Sequence, residues 1–345
     1  MTQSKFPTAL VLGCAGPRLT ADERALFRDV DPLGFILFAR NVESPDQVRA
    51  LTAEFVDCVG RADAPVLVDQ EGGRVQRLGP PHWRAAPPGA RFAALHTDSP
   101  DAAHEAAYLN ALLIARDLVR VGITVDCAPV LDVPQPGAHD VIGERALGAD
   151  PATVAALGRA VADGLLAGGV TPVIKHLPGH GRAAADSHLE LPVVEASSAE
   201  LGVSDFPPFR DLSAALPGAL WAMTAHVVYT ALDADAPATT SPSVIADVIR
   251  TDFGFDGVLV SDDIGMQALS GGFDDRARAS LSAGCDVALH CSGDMAEMVA
   301  AAEGASALSP DAWARARRAE TLRADAAADH ISDADALARL GELLA

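Results

Sequence analysis

Short apolar runs separated by amphipathic stretches repeat along the whole chain. Eight of them stand out: 9–13, 34–38, 65–68, 123–126, 172–174, 219–224, 257–261 and 285–290. Each is too short for a globular helix. Several are rich in Val, Leu and Ile, as strands buried on both faces are. Helix starts lie between them. Five times a capping residue precedes a proline: Ser44-Pro45, Ser99-Pro100, Asp150-Pro151, Ser241-Pro242 and Ser309-Pro310. The side chain accepts from an orphan amide of the first turn, and proline at the first helical position forfeits no hydrogen bond. Thr20 and Glu23 have the spacing of a capping box. Gly122, Gly168 and Gly254 fall where helices should stop. Eight strands alternating with helices predict an α/β fold, either a (β/α)8 barrel of the TIM type or a doubly wound sheet. The Pro/Gly-rich stretches 79–89 and 132–143 read as loops rather than linkers. The chain 1–345 is therefore expected to form a single domain, with the Ala-rich tail 309–345 as two helices packed on its outside.

Composition narrows the partners. The 345 residues include 26 Lys and Arg against 47 Asp and Glu, a net charge of −21. A protein that tracks polyphosphate needs a basic stripe. None is visible, which argues against nucleic acid and anionic membrane, and the acidity serves solubility. The five cysteines are odd in number and include no C-x-x-C pair, the pattern of reduced thiols in a cytosolic protein. No apolar run is long enough to cross a bilayer. The apolar stretch 6–12 before Gly13-Cys14 loosely resembles a lipoprotein leader but is short, and a first strand explains it better. A cytoplasmic location is expected.

Ionisable residues recur where the apolar runs end. Asp69 follows the third, Lys175 and His176 the fifth, His226 the sixth, and Asp262 and Asp263 the seventh. In a barrel such positions converge on one face, where catalysis occurs. Lys175 is one of only two lysines among many arginines, which suggests a need for a compact ammonium there. His176 and His180 have a zinc-like spacing, but Pro178 and Gly179 between them oppose a helix. No metal or other cofactor is expected. Asp186 and His188 are two apart in a loop. A carboxylate beside an imidazole orients the ring and raises its pKa, which suits a residue that gives and then takes a proton.

The segment K-H-x-P-G-H-G…D-S-H over 175–188 resembles the signature of glycoside hydrolase family 3, specifically its single-domain bacterial β-N-acetylglucosaminidases (β-hexosaminidases). Other blocks are similar, in the family's order: GFILFARN at 34–41, DQEGGRVQRL at 69–78, APVLDV at 128–133, IGERALG at 142–148, MTAHVVY at 223–229 and GFDGVLVSDDIGM at 254–266. The resemblance implies a retaining exo-enzyme that removes terminal β-linked N-acetylglucosamine. Asp262 would be the nucleophile that forms a covalent glycosyl-enzyme. Retaining enzymes usually pair two carboxylates. Here the resemblance implies instead that His188 is the acid/base, with Asp186 as its dyad partner. Asp69, Arg77, Arg145, Lys175 and His176 match the sugar-binding positions. The implied substrate is a small amino sugar, muropeptide or chitobiose-like, met during recycling of cell-wall fragments by a monomeric protein.

His180, Asp132 and His226 are expected to support the pocket. Asp263 should turn away from Asp262 if both extend a strand. His82, His96, His104, His139 and His330 read as surface or structural. Leu177, Leu78 and Ile264-Gly265 depart from the family's commoner residues and bear on substrate preference. With three Trp, a small polar pocket fits better than a long stacking cleft. The alternatives are another family 3 β-glycosidase specificity, catalysis assisted by the substrate's acetamido group beside Asp262-Asp263, a Schiff-base lyase using Lys175, a metal-dependent barrel hydrolase, and a sugar-binding protein without turnover. The metal enzyme would need clustered His ligands such as H-x-H, which the chain lacks.

Overall fold

Eight parallel strands close into a barrel in strict chain order: β1 (Thr8–Leu12), β2 (Pro32–Leu37), β3 (Val66–Val68), β4 (Val125–Asp126), β5 (Thr171–Leu177), β6 (Trp221–Thr224), β7 (Val258–Asp263) and β8 (Val287–His290), which returns to β1. The computed structural model describes residues 6–345 apart from 138, 184, 186, 188, 328 and 329. The eight apolar runs of the sequence are these eight strands. A doubly wound sheet is excluded by the pairing of β1 with β8, which holds Leu10 against Ala288 and Leu12 against His290.

The barrel interior is filled by alternate strand residues, among them Val11, Leu67, Val125, Val173, Val258, Val260 and Val287. The other faces meet the surrounding helices. Phe35 of β2 stacks on Phe55 of the helix Pro45–Val59, with ring centroids 4.7 Å apart. Capping follows the sequence. Ser44 accepts from Gln47, Asp150 from Thr153 and Ser309 from Ala312, each contact worth about 1 kcal/mol. Thr20 and Glu23 close their capping box. Ser99 precedes its helix without a side-chain cap. Ser241 accepts from the Val244 amide, at the head of a segment that winds as a π-helix over Val244–Asp252. The helix Pro151–Ala167 ends at Gly168, but the left-handed turn falls one residue later, at Gly169 with φ of 89°.

The tail divides its work. Ala312, Ala316 and Ala319 of the helix Pro310–Ala326 join the inward-facing strand residues in one apolar cluster. This helix sits near the N-terminal end of β1, where Ala9 donates to the carbonyl of Ser306. The helix Asp333–Leu343 packs instead on surrounding helices through Ala336 and Leu340. Two small sheets lie beyond the C-terminal ends of the strands. Gln70–Gly72 pairs with Val75–Gln76 as a hairpin, and Val193–Val194 runs parallel to Val228–Tyr229. Among the described residues no helix is long and apolar enough to cross a membrane.

Candidate active site

A pocket of about 570 Å³ opens at the C-terminal end of the barrel, in the size range of sites for drug-sized ligands. Asp69, Arg77, Arg145, Lys175, His176 and Asp262 all border it. Asp186 and His188 lie outside the described residues. Ser187 between them is buried, borders the pocket and pairs with His180 Nε2 at 3.2 Å.

Lys175 is at the centre of the floor, its side chain 2% exposed. Its Nζ is 3.0 Å from Asp69 Oδ1 and 2.6 Å from Glu71 Oε1. Arg77 Nη2 holds the other Asp69 oxygen at 3.1 Å. Arg145 grips Glu71 with two bonds of 2.8 Å, the bidentate geometry that suits guanidinium and carboxylate. Burial opposes the charge on Asp69, Glu71, Arg145 and Lys175, but the opposite charges outweigh it. Lys175 and Arg77 hold the Asp69 carboxyl well below the usual carboxylate range. Lys175 and Arg145 lower that of Glu71. The two carboxylates in turn raise the pKa of the Lys175 ammonium. A lysine kept protonated in this way is no Schiff-base nucleophile at neutral pH. The compact ammonium expected at this strand end is thus the hub of an ion network.

Glu71 escaped the sequence reading. The signal was present, since residues two apart in extended chain share a face, and Asp69 and Glu71 are so spaced. Arg145 borders the pocket, yet Glu71 and the carbonyl of Val141, at 3.1 Å, engage all three of its nitrogens. It braces the floor as much as it offers a donor.

Lys175 and His176 are neighbours in β5, and alternation would send them to opposite faces. Both border the pocket. The ladder to β6 shifts register between Lys175 and Leu177, and the peptide bond joining Lys175 to His176 is cis. Asp132 anchors the region from beneath. Its Oδ2 accepts from His176 Nδ1 at 2.6 Å, and its Oδ1 accepts the amides of His176 and His180 at 3.2 and 2.6 Å. Burial works against the Asp132 carboxylate, but the two histidines lower its pKa to about 2. The bond fixes the proton of the His176 ring on Nδ1. Burial first, and the neighbouring His176 as well, lower His180 to about 4, so that ring is neutral near pH 7.

The P-G-H-G run needs its glycines. Gly179 has φ of 138°, and a Cβ on Gly181 would lie 2.1 Å from the carbonyl oxygen of Val133. Tyr229 donates to the Gly179 carbonyl at 2.8 Å. Both loops are thereby pressed together beside the pocket.

On the opposite wall, Asp262 Oδ1 accepts the amide of Asp263 at 2.8 Å. Asp263 also borders the pocket, but its carboxylate accepts backbone amides of Gly265 at 2.9 Å and Cys291 at 3.2 Å. His226, buried behind this strand end, donates from Nε2 to the Asp263 carbonyl at 3.0 Å, while its Nδ1 meets Thr239 Oγ1 at 2.7 Å. It steadies the segment that carries Asp262. Burial pushes the thiol of pocket-lining Cys291 well above its ordinary value, and nearby carboxylates push it further. That disfavours the thiolate a nucleophile needs. Among the described residues no three His, Cys, Asp or Glu side chains cluster as a metal site.

A buried support lies behind the floor. Asp126 at the end of β4 accepts the Gln70 amide at 2.9 Å, and Gln70 Oε1 in turn accepts the amides of Arg77 and Leu78 at 2.9 and 3.0 Å. Asp126 Oδ2 and Asn110 Oδ1 have no hydrogen-bond partner among the described residues and border the same small cavity. Burial, aided by Asp69 and Glu71, pushes the Asp126 carboxyl up to about 8 from an ordinary 3.8. The folded state keeps a proton that the unfolded chain releases, so this group's contribution to stability falls as pH rises between those values. The slope is at most about 1.4 kcal/mol per pH unit. Asp126→Asn is neutral at every pH and removes the slope. Its melting temperature is expected to gain on the wild type progressively from about pH 5 to about pH 8. A gap independent of pH would show that Asp126 does not titrate in this window.

A pocket closed at one end by paired donors and acceptors, with a carboxylate on its wall at the C-terminal end of a barrel, has the layout of a barrel enzyme's active site. Residues 8–319 match the glycosyl hydrolase family 3 N-terminal domain. A beta-hexosaminidase of Alkalilimnicola ehrlichii is 41% identical over 285 residues, covering 82% of this chain and 80% of its own. The crystal structure of NagZ from Neisseria gonorrhoeae in complex with N-trifluoroacetyl-D-glucosamine superposes with a TM-score of 0.86 at 32% identity, over 99% of both chains. Beta-N-acetylhexosaminidase from Beutenbergia cavernae gives 0.75 at 27%, over 96% of both. The chain belongs to glycosyl hydrolase family 3, and within it to the company of the beta-hexosaminidases.

Proposed function

We propose that the protein is a retaining exo-β-N-acetylglucosaminidase that releases terminal β-linked N-acetylglucosamine from small amino-sugar substrates, cell-wall fragments among them. The observation that carries this reading is the Lys175-centred network closing one end of the pocket that Asp262 borders. Asp69 and Glu71 can accept from sugar hydroxyls, while Lys175, Arg77 and Arg145 can donate. Such a floor disfavours ligands lacking those hydroxyls, because the hydrogen-bonding capacity its polar groups keep beyond their mutual ion pairs would go unmet. Closure at the floor favours removal of one end residue over cutting within a chain.

In the first step an Asp262 oxygen attacks the anomeric carbon and the bond to the leaving oxygen breaks. His188, with Asp186 as its dyad partner in this proposal, gives that oxygen its proton. In the second step water attacks the same carbon, His188 takes the proton from the water, and the Asp262 carboxylate departs. Two inversions return the β configuration.

Purified protein is expected to release nitrophenol from 4-nitrophenyl β-N-acetylglucosaminide in the presence of EDTA, with the β anomer as the first sugar detected by NMR. Absence of release, or the α anomer first, would overturn the proposal. His188→Ala is expected to slow substrates with poor leaving groups about 10²–10⁴-fold, and activated phenols far less, because phenolates leave without a proton. Equal losses across leaving groups would remove His188 as the acid.

A further inference from the structure

The mouth of the pocket includes a side chain that the mechanism above does not use. His139 borders the pocket together with Arg74 and Asp140, and all three are exposed. The sequence reading placed this histidine outside the site. Its Nδ1 accepts the Val141 amide at 3.1 Å. A nitrogen that accepts carries no proton, so the neutral ring carries its proton on Nε2. The ring is thus held by its own backbone with a donor available.

The segment beneath it is fastened on both sides. Gln135 donates to the Gly181 carbonyl at 3.0 Å and His139 to that of Ala183 at 2.9 Å, which ties it to the chain leading to Ser187. On the other side Arg74 Nη2 donates to the carbonyls of Asp140 and Val141 at 2.6 and 2.8 Å. A donor on so braced a loop contacts a ligand at little cost in ordering.

Depth decides which part of a substrate it meets. Lys175 and Glu71 are buried at the floor, with side chains 2% and 7% exposed. A sugar bound there fills the closed end, and its leaving group extends toward the mouth. We propose that His139 is a specificity-determining residue that donates from Nε2 to an oxygen of the leaving sugar, favouring a sugar over an aryl leaving group. The inference rests on the exo-glycosidase reading given above.

The test compares kcat/KM for chitobiose with that for 4-nitrophenyl β-N-acetylglucosaminide in wild type, His139→Ala and His139→Gln. In His139→Ala the ratio of chitobiose to aryl glycoside is expected to fall about tenfold, chiefly through the KM for chitobiose. Glutamine supplies an amide donor and should bring the ratio back to within about twofold of wild type. Both variants retain the backbone bonds of the segment. An unchanged ratio, or equal losses on both substrates, would overturn the inference while leaving the exo-glycosidase reading standing. Wild type inactive on both substrates would overturn the two together.

Discussion

Asp262→Ala is expected to lose turnover of a β-N-acetylglucosaminide by about four orders of magnitude or more. The proposed reaction passes through a bond between this carboxylate and the anomeric carbon, and alanine offers no atom to form it. The loss should fall on kcat, since the sugar contacts proposed for Asp69, Glu71 and Lys175 are left in place. Azide can enter the space left by the carboxylate. Added to the variant, it should restore nitrophenol release and yield the α-glycosyl azide, the product of a single inversion. Labelling of Asp262 by a 2-fluoro sugar in the wild type would separate this route from attack by the substrate's own acetamido group, which forms no bond to the enzyme. Undiminished turnover by Asp262→Ala would sink the assignment.

Lys175→Met is expected to damage both stability and activity. The ammonium lies between two largely buried carboxylates, 3.0 Å from Asp69 and 2.6 Å from Glu71. Without it each keeps one arginine, but their mutual repulsion is no longer offset. Breaking a buried pair in this way costs about 3–5 kcal/mol, because a charge is left incompletely compensated. Loss of a hydroxyl donor and loosening of the floor should lower kcat/KM about 10³-fold. The pH dependence has a definite sign. The folded-state pKa values of Asp69 and Glu71 are depressed below their ordinary 3.8 and 4.5. Their contribution is therefore complete above those values and is lost as pH falls toward the folded ones. Without Lys175 the depression shrinks, and acid unfolding followed by circular dichroism should begin at higher pH than in the wild type. Arginine should restore little, since its planar fork does not replace a compact ammonium between two carboxylates. A variant with unchanged acid unfolding would mean that the network does not contribute to stability.

The legibility of the fold came from repetition. A strand buried on both faces must be apolar throughout, and a helix must begin with a cap, so both leave local marks. The runs at 34–38 and 285–290 could be recognised as strands before any pairing was known. The hairpin 70–76 left no such mark, because Val75 is its one large apolar residue and its two short strands are held by the loop that follows β3. Glu71 was missed with it. His139 was missed for a related reason. Neither its neighbours nor its spacing distinguishes a histidine at a pocket mouth from one on the surface. The closeness of Val133 to Gly181, the bonds from Gln135 and His139 to Gly181 and Ala183, and the grip of Arg74 on Asp140 and Val141 bring its loop to the site.

The sequence by itself determined the eight strands, most of the helix caps, the order of the motif blocks and the presence of ionisable side chains at the strand ends. These are short-range properties, set by side-chain chemistry within a few residues. Tertiary structure alone decided which charges share a floor, that Arg145 grips Glu71, that Lys175 and His176 border one pocket despite being neighbours in a strand, and that Asp126 is sealed off from solvent. Those facts depend on distances between residues tens of positions apart. Pairing energies and pKa shifts follow distance and burial, which only closure of the barrel sets.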